Sequence, residues 1–202
     1  MSQQVPPRNW QGPPAFRVLR AMALCARGQP EGIALFGDTP AAFLVSLAPL
    51  VAFPLVATLL SITGHAGSPE AVAEATVFLQ ALDALLALPV ISHALATRWG
   101  REEAWLRYAT AANWCHWLLE FAFMLALFAT TVLVGLGMPS NALLPVLLVA
   151  AMAYSLWLQF FLARRGLGLR RGRAWVVVIA GNLVAGLLIA GPALLRGQQA
   201  IA

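Results

Sequence analysis

Three observations predict an all-α, polytopic integral membrane bundle: five transmembrane helices preceded by an amphipathic helix. Five long apolar runs, residues 40–62, 71–97, 111–137, 141–162 and 174–195, each reach the roughly 20 residues that a helix needs to cross a hydrocarbon core about 30 Å thick. Only 10% of the 202 residues are charged and 60% are apolar, with a mean hydropathy of +0.77, whereas a soluble domain carries roughly a quarter charged residues. All thirteen basic residues are arginines, and twelve of them fall on one side of the topology that the five runs imply.

Taken in order, residues 1–14 are polar and rich in proline (Pro6, Pro7, Pro13, Pro14). They lack the apolar stretch of a cleavable signal, so the first span is expected to act as an uncleaved insertion signal. Residues 15–27 read as an amphipathic helix: Phe16, Leu19, Ala23 and Ala26 recur at helical spacing, with Arg17, Arg20 and Arg27 off that stripe. It is expected to rest on the cytoplasmic leaflet, apolar stripe down. A turn at 28–30 follows, and Asp38 and Thr39 before Pro40 form a cap-then-proline start for span one.

Span one contains Pro49 and Pro54. Each removes a backbone donor, so a kink or break is expected. Because such defects in lipid need cover from neighbours, span one should lie inside the bundle. Ser68 and Pro69 open span two, and Pro89 should bend it. Span five carries small residues four apart (Gly181 and Ala185; Gly186 and Ala190), which permit close helix contact. Three segments follow: a cytoplasmic N-terminal segment over 1–39, a transmembrane domain over 40–195, and a short tail over 196–202.

Orientation comes from the arginines. Arg8, Arg17, Arg20 and Arg27 precede span one; Arg98, Arg101 and Arg107 follow span two; Arg164, Arg165, Arg170, Arg171 and Arg173 follow span four. The connections 63–70 and 138–140 carry no basic residue, and only Arg196 lies beyond span five. Cytoplasmic loops collect positive charge, which predicts a bacterial inner-membrane protein with its N-terminus inside and its C-terminus outside. Trp99, Trp105, Tyr108 and Trp175 then fall near cytoplasmic helix ends, as an interfacial aromatic belt would. The charge excess is read as topology and headgroup contact rather than nucleic-acid binding. Arg17, Arg20, Arg164, Arg165, Arg170, Arg171 and Arg173 are the expected contacts to anionic lipid or to another membrane protein. Cys25, on the cytoplasmic side, and Cys115, within a span, show no pairing pattern, so no structural disulfide is expected.

Ionisable groups inside a membrane are functional candidates by default. His116 and Glu120 are four apart and share one helix face within hydrogen-bond reach. Asp83, near mid-span on the second helix, is expected to share that polar core. One reading makes Asp83, His116 and Glu120 a structural cluster that fixes helix register. A second makes them a substrate or proton path. A third takes His93 and His116 as the two axial ligands of a haem. Neither Asp83 nor Glu120 has the flanking glycines of an intramembrane protease, and metalloprotease, nucleophile-elbow, phosphate-loop and metal-spacing motifs are absent. No catalysis and no cofactor are therefore expected.

The stretch His93-Ala94-Leu95-Ala96-Thr97-Arg98-Trp99-Gly100, then Trp105-Leu106-Arg107-Tyr108-Ala109, resembles the short glycine-containing loop between spans two and three of the Ypt-interacting protein (Yip) domain family. A second patch runs from Tyr154-Ser155-Leu156-Trp157 through the arginine loop to Arg173-Ala174. The likeness covers about residues 30–195 and is to bacterial members of the family. The eukaryotic Asp-Leu-Tyr-Gly-Pro type motif before the first span is absent, and no functional residue carries over. The resemblance implies an N-terminal segment, five spans and a scaffold or interaction role. The resulting expectation is a membrane scaffold or accessory protein, contacting lipid or other membrane proteins. The alternative is a small transporter or channel component using Asp83, His116 and Glu120. The odd number of spans and the lack of an internal repeat weigh against a complete inverted-repeat transporter.

Overall fold

The computed structural model describes residues 14–63, 68–137 and 140–199; Arg8 and parts of both arginine-free connections lie outside them. Two short helices, α1 (Pro14–Ala26) and α2 (Glu31–Ala34), precede five long ones: α3 (Pro40–Thr63), α4 (Pro69–Arg98), α5 (Glu102–Gly135), α6 (Ser140–Gly166) and α7 (Arg171–Gln199). All five long helices contain a stretch long and apolar enough to cross a membrane. In hydrocarbon a helix satisfies its own backbone donors and acceptors, which is why apolar length alone anticipates these elements. The helix α7 continues to Gln199, through most of the expected tail.

The five long helices neighbour one another in the cyclic order α3, α5, α6, α7, α4, and α5 also touches α4. Thr39 caps α3 as expected, its Oγ1 accepting the Ala42 N–H at 3.2 Å. Asp38 instead pairs with Arg107 at the start of α5. The helix α3 runs unbroken through Pro49 and Pro54. It is not an interior helix: it packs on α4 and α5 alone among the long helices, and Phe53, Val56, Leu59 and Leu60 are exposed. The prolines therefore demand less cover than expected, because losing one donor leaves the rest of the helical ladder intact.

Polar side chains pin the helices pairwise. The Asn113 amide (α5) donates to Ser46 Oγ (α3) at 3.0 Å, and Ser46 donates to Phe43 O at 2.6 Å. Trp105 Nε1 (α5) donates to Ser92 Oγ (α4) at 3.1 Å. The Asn182 amide (α7) donates to Gln159 Oε1 (α6) at 2.7 Å. Such bonds contribute about 0.6 kcal/mol each on average in a membrane, so their main effect is to select register. Of the small residues on α7, Gly181 makes the close approach: a β-carbon there would lie 2.7 Å from Leu88 Cδ1 on α4, whereas Gly186 faces open space.

The N-terminal helix has a second apolar side that the sequence does not single out. Its Val18, Ala21, Met22 and Cys25 side packs into the same core as Tyr108, Ala111, Cys115, Leu158 and Phe161, so α1 docks on α5 and α6. The expected stripe is the opposite one, and Phe16 and Leu19 on it are 63% and 60% exposed. The helix thus has two apolar arcs, one against protein and one outward, with Arg17 and Arg20 between them. The Tyr154 hydroxyl donates to Ala26 O at 3.3 Å, satisfying a terminal carbonyl of α1.

Cys25 does not stand apart from the spans. It lies in the same buried core as Cys115, and both are free thiols with essentially no exposure. Cys25 should accordingly resist a water-soluble maleimide in the intact protein, under conditions where an Ala23→Cys variant, placed on the exposed stripe, is fully alkylated. Intact-mass spectrometry reads the difference, and equal labelling at both positions would contradict the docked helix.

Candidate functional site

A large concavity lies between α3, α4 and α5. It is lined by residues 50–57 of α3, 78–85 of α4 and 116–124 of α5, which places it near the middle of all three helices. It encloses about 520 Å³, within the range of small-molecule sites. Leu50, Phe53, Pro54, Phe78, Leu82 and Leu85 form much of its wall, and His116 and Glu120 supply its ionisable groups. The helical spacing brings His116 Nε2 to 3.4 Å from Glu120 Oε1. Their side chains are 40% and 56% exposed, so the pair faces an opening in the side of the bundle rather than a closed interior.

Asp83 does not join them. It is exposed and does not line the groove. At 3.6 residues per turn it lies roughly 100–160° around α4 from Phe78, Ala81, Leu82 and Leu85. The expected three-residue cluster is therefore a two-residue one. The bis-histidine arrangement fails as well. His93 packs edge-on against Trp105, with ring centroids 4.6 Å apart, while His116 sits eleven residues further along α5, about 16 Å. The two imidazoles cannot flank one iron, and no group of three or more potential metal ligands occurs among the described residues.

The arginines gather where the sequence places them. Arg17 and Arg20 ride on α1, Arg164 and Arg165 close α6, Arg170 lies in the turn, and Arg171 and Arg173 open α7. The Arg173 guanidinium stands over the Trp99 ring, 5.4 Å from its centroid. No family model, curated protein or solved structure matches the chain.

Sequence reasoning missed Asn113 and Ser46, which join α3 to α5 directly above the groove. Asn113, three residues before His116, carries a signal in its helical spacing; Ser46 carries none, because a lone serine in an apolar span is unremarkable until its partner is known. Arg101, read only as a topology charge, borders a second cavity. Chemically, the groove presents long apolar walls with one hydrogen-bonding pair at mid-height. That composition suits an amphiphile, with chains against leucine and phenylalanine and a polar group on His116 and Glu120.

Proposed function

We propose that this chain is a non-catalytic membrane protein, a scaffold or accessory component, that holds a single amphiphilic lipid in the α3–α4–α5 groove. The observation that carries this reading is the 520 Å³ groove at mid-height, apolar except for the His116–Glu120 pair and open to the side. A lipid enters laterally from the bilayer, and a polar group reaching the groove finds there the partner that hydrocarbon denies it. The exposed Phe16 and Leu19 of α1, flanked by Arg17 and Arg20, suit the boundary between headgroups and chains. The distribution of arginines supports a bacterial inner membrane with the N-terminus and the arginine-rich end in the cytoplasm. Five spans behind an N-terminal segment are also what kinship with the Yip domain family would require.

The test is lipidomic and proteomic mass spectrometry of protein purified in a mild detergent, beside variants that fill the groove, Ala57→Trp and Ala81→Phe. One lipid class is expected to be enriched with the parent and reduced at least about tenfold by either substitution. Unchanged lipid in both variants would overturn the reading. The alternative, a small transporter or channel component, draws on the same His116–Glu120 pair but loses Asp83. It predicts that Glu120→Gln abolishes a flux in a protein that remains folded.

A further inference from the structure

A second cavity, remote from the groove, sits at the arginine-rich end. It encloses about 290 Å³ and is lined by Arg101, Gly168, Leu169, Arg170 and Arg173. Two matching helix endings build it. At the end of α4, Gly100 adopts φ +64°, the Arg101 N–H bonds back to Ala96 O at 2.8 Å, and the Gly100 N–H bonds to Thr97 O at 3.1 Å. At the end of α6, Gly168 adopts φ +62° and the Leu169 N–H bonds back to Arg164 O at 3.0 Å. Both are Schellman closures, which need a left-handed residue that glycine supplies without strain. Each reverses the chain immediately before an arginine or one residue short of it. As a result Arg101 converges with Arg170 and Arg173, from a loop about seventy residues further along the chain. A β-carbon at Gly168 would stand 3.8 Å from Arg101 Nη1, so the two closures are in contact range.

Three arginines therefore line one cavity, and none of them forms an ion pair with a described residue. Glu102 and Glu103 open α5 next door but do not line it. Arg173 is held by its stacking on Trp99, which pre-positions one fork. Like charges so placed repel one another unless an anion lies between them. The first amides of the long helix α7 also begin here and add partial positive charge.

We propose that Arg101, Arg170 and Arg173 form a binding site for a dianionic phosphate monoester, carried either by a lipid headgroup or by a soluble compound. Planar guanidinium forks bind phosphate oxygens in pairs, and three of them match a doubly charged group better than the single charge of a phosphodiester. The site is independent of the lateral groove.

The experiment uses the full chain in a neutral detergent, with thermal shift and native mass spectrometry as readouts. The probes are inorganic phosphate, phosphatidic acid and phosphatidylglycerol. A saturable rise in Tm with phosphatidic acid that phosphatidylglycerol does not match is expected. Arg101→Gln and Arg170→Gln should each weaken it about tenfold or more, as loss of a charged hydrogen bond would, while Arg27→Gln, exposed at the end of α1 and outside the cavity, leaves it unchanged. Saturation by inorganic phosphate alone, with competition against the lipid, assigns the site to soluble phosphate esters; response to the lipid only assigns it to a headgroup. Equal responses to both lipids, loss in Arg27→Gln as large as in Arg101→Gln, or no response to any probe would overturn it.

Discussion

Replacing Gly32 by valine is expected to lower the Tm by on the order of 5–10 °C and to expose Cys25 to alkylation. A β-carbon at this position would stand 2.7 Å from Ala21 O, 2.8 Å from Leu24 Cβ and 2.9 Å from Cys25 N. Two of these atoms are backbone and cannot swing away, so α2 must retreat from α1, and α1 must tilt off α5. Differential scanning fluorimetry and maleimide labelling measure the two effects together. Gly186→Ala, whose β-carbon meets open space on α7, is the control and should change Tm by no more than about 2 °C. A Gly32→Val protein with parental Tm and a protected Cys25 would mean that α1 and α2 do not approach as described.

Tyr108→Ala should be the most damaging single truncation. Tyr108 is 3% exposed, and its ring and α-carbon crowd Gly166 at the end of α6. Truncating a buried aromatic costs about 3–5 kcal/mol, hence a fall in Tm of roughly 10 °C or more. Tyr108→Phe should stay close to the parent, because the hydroxyl has no hydrogen-bond partner among the described residues. A large loss in both variants would reveal a role for the hydroxyl; no loss in either would deny that this ring fills the α5–α6 seam.

Tyr108 also marks where sequence reading stops. Its position near a helix end and its amphipathic ring placed it in an interfacial belt, yet it is core. Helix existence was legible because apolar length decides it, and the start of α3 because Thr39 and Pro40 impose local backbone geometry. Helix phase was not. An all-round apolar helix in lipid gives little indication of which arc meets a neighbour, so Asp83 could be placed near the middle of its helix but not on the side that meets the groove. His116 and Glu120 were legible as a pair because their spacing is internal to one helix. Their groove was not, because it needs the relative rotation of α3, α4 and α5. On α1 the outward stripe was legible from its spacing, whereas the side that docks, through Ala21, Met22 and Cys25, shows itself only once α5 and α6 are in place.

The docked N-terminal helix has a consequence for the order of assembly. Ala26 accepts its hydrogen bond from Tyr154, 128 residues later, and the rest of its seat spans 108–162. At about 5–20 residues per second of synthesis, α1 leaves the ribosome roughly 6–25 seconds before that seat is complete. Through this interval both of its apolar arcs are uncovered and the nascent bundle is already threading the membrane. The first part of the chain to be made is then among the last to be locked, and its closure reports that α5 and α6 have arrived in register.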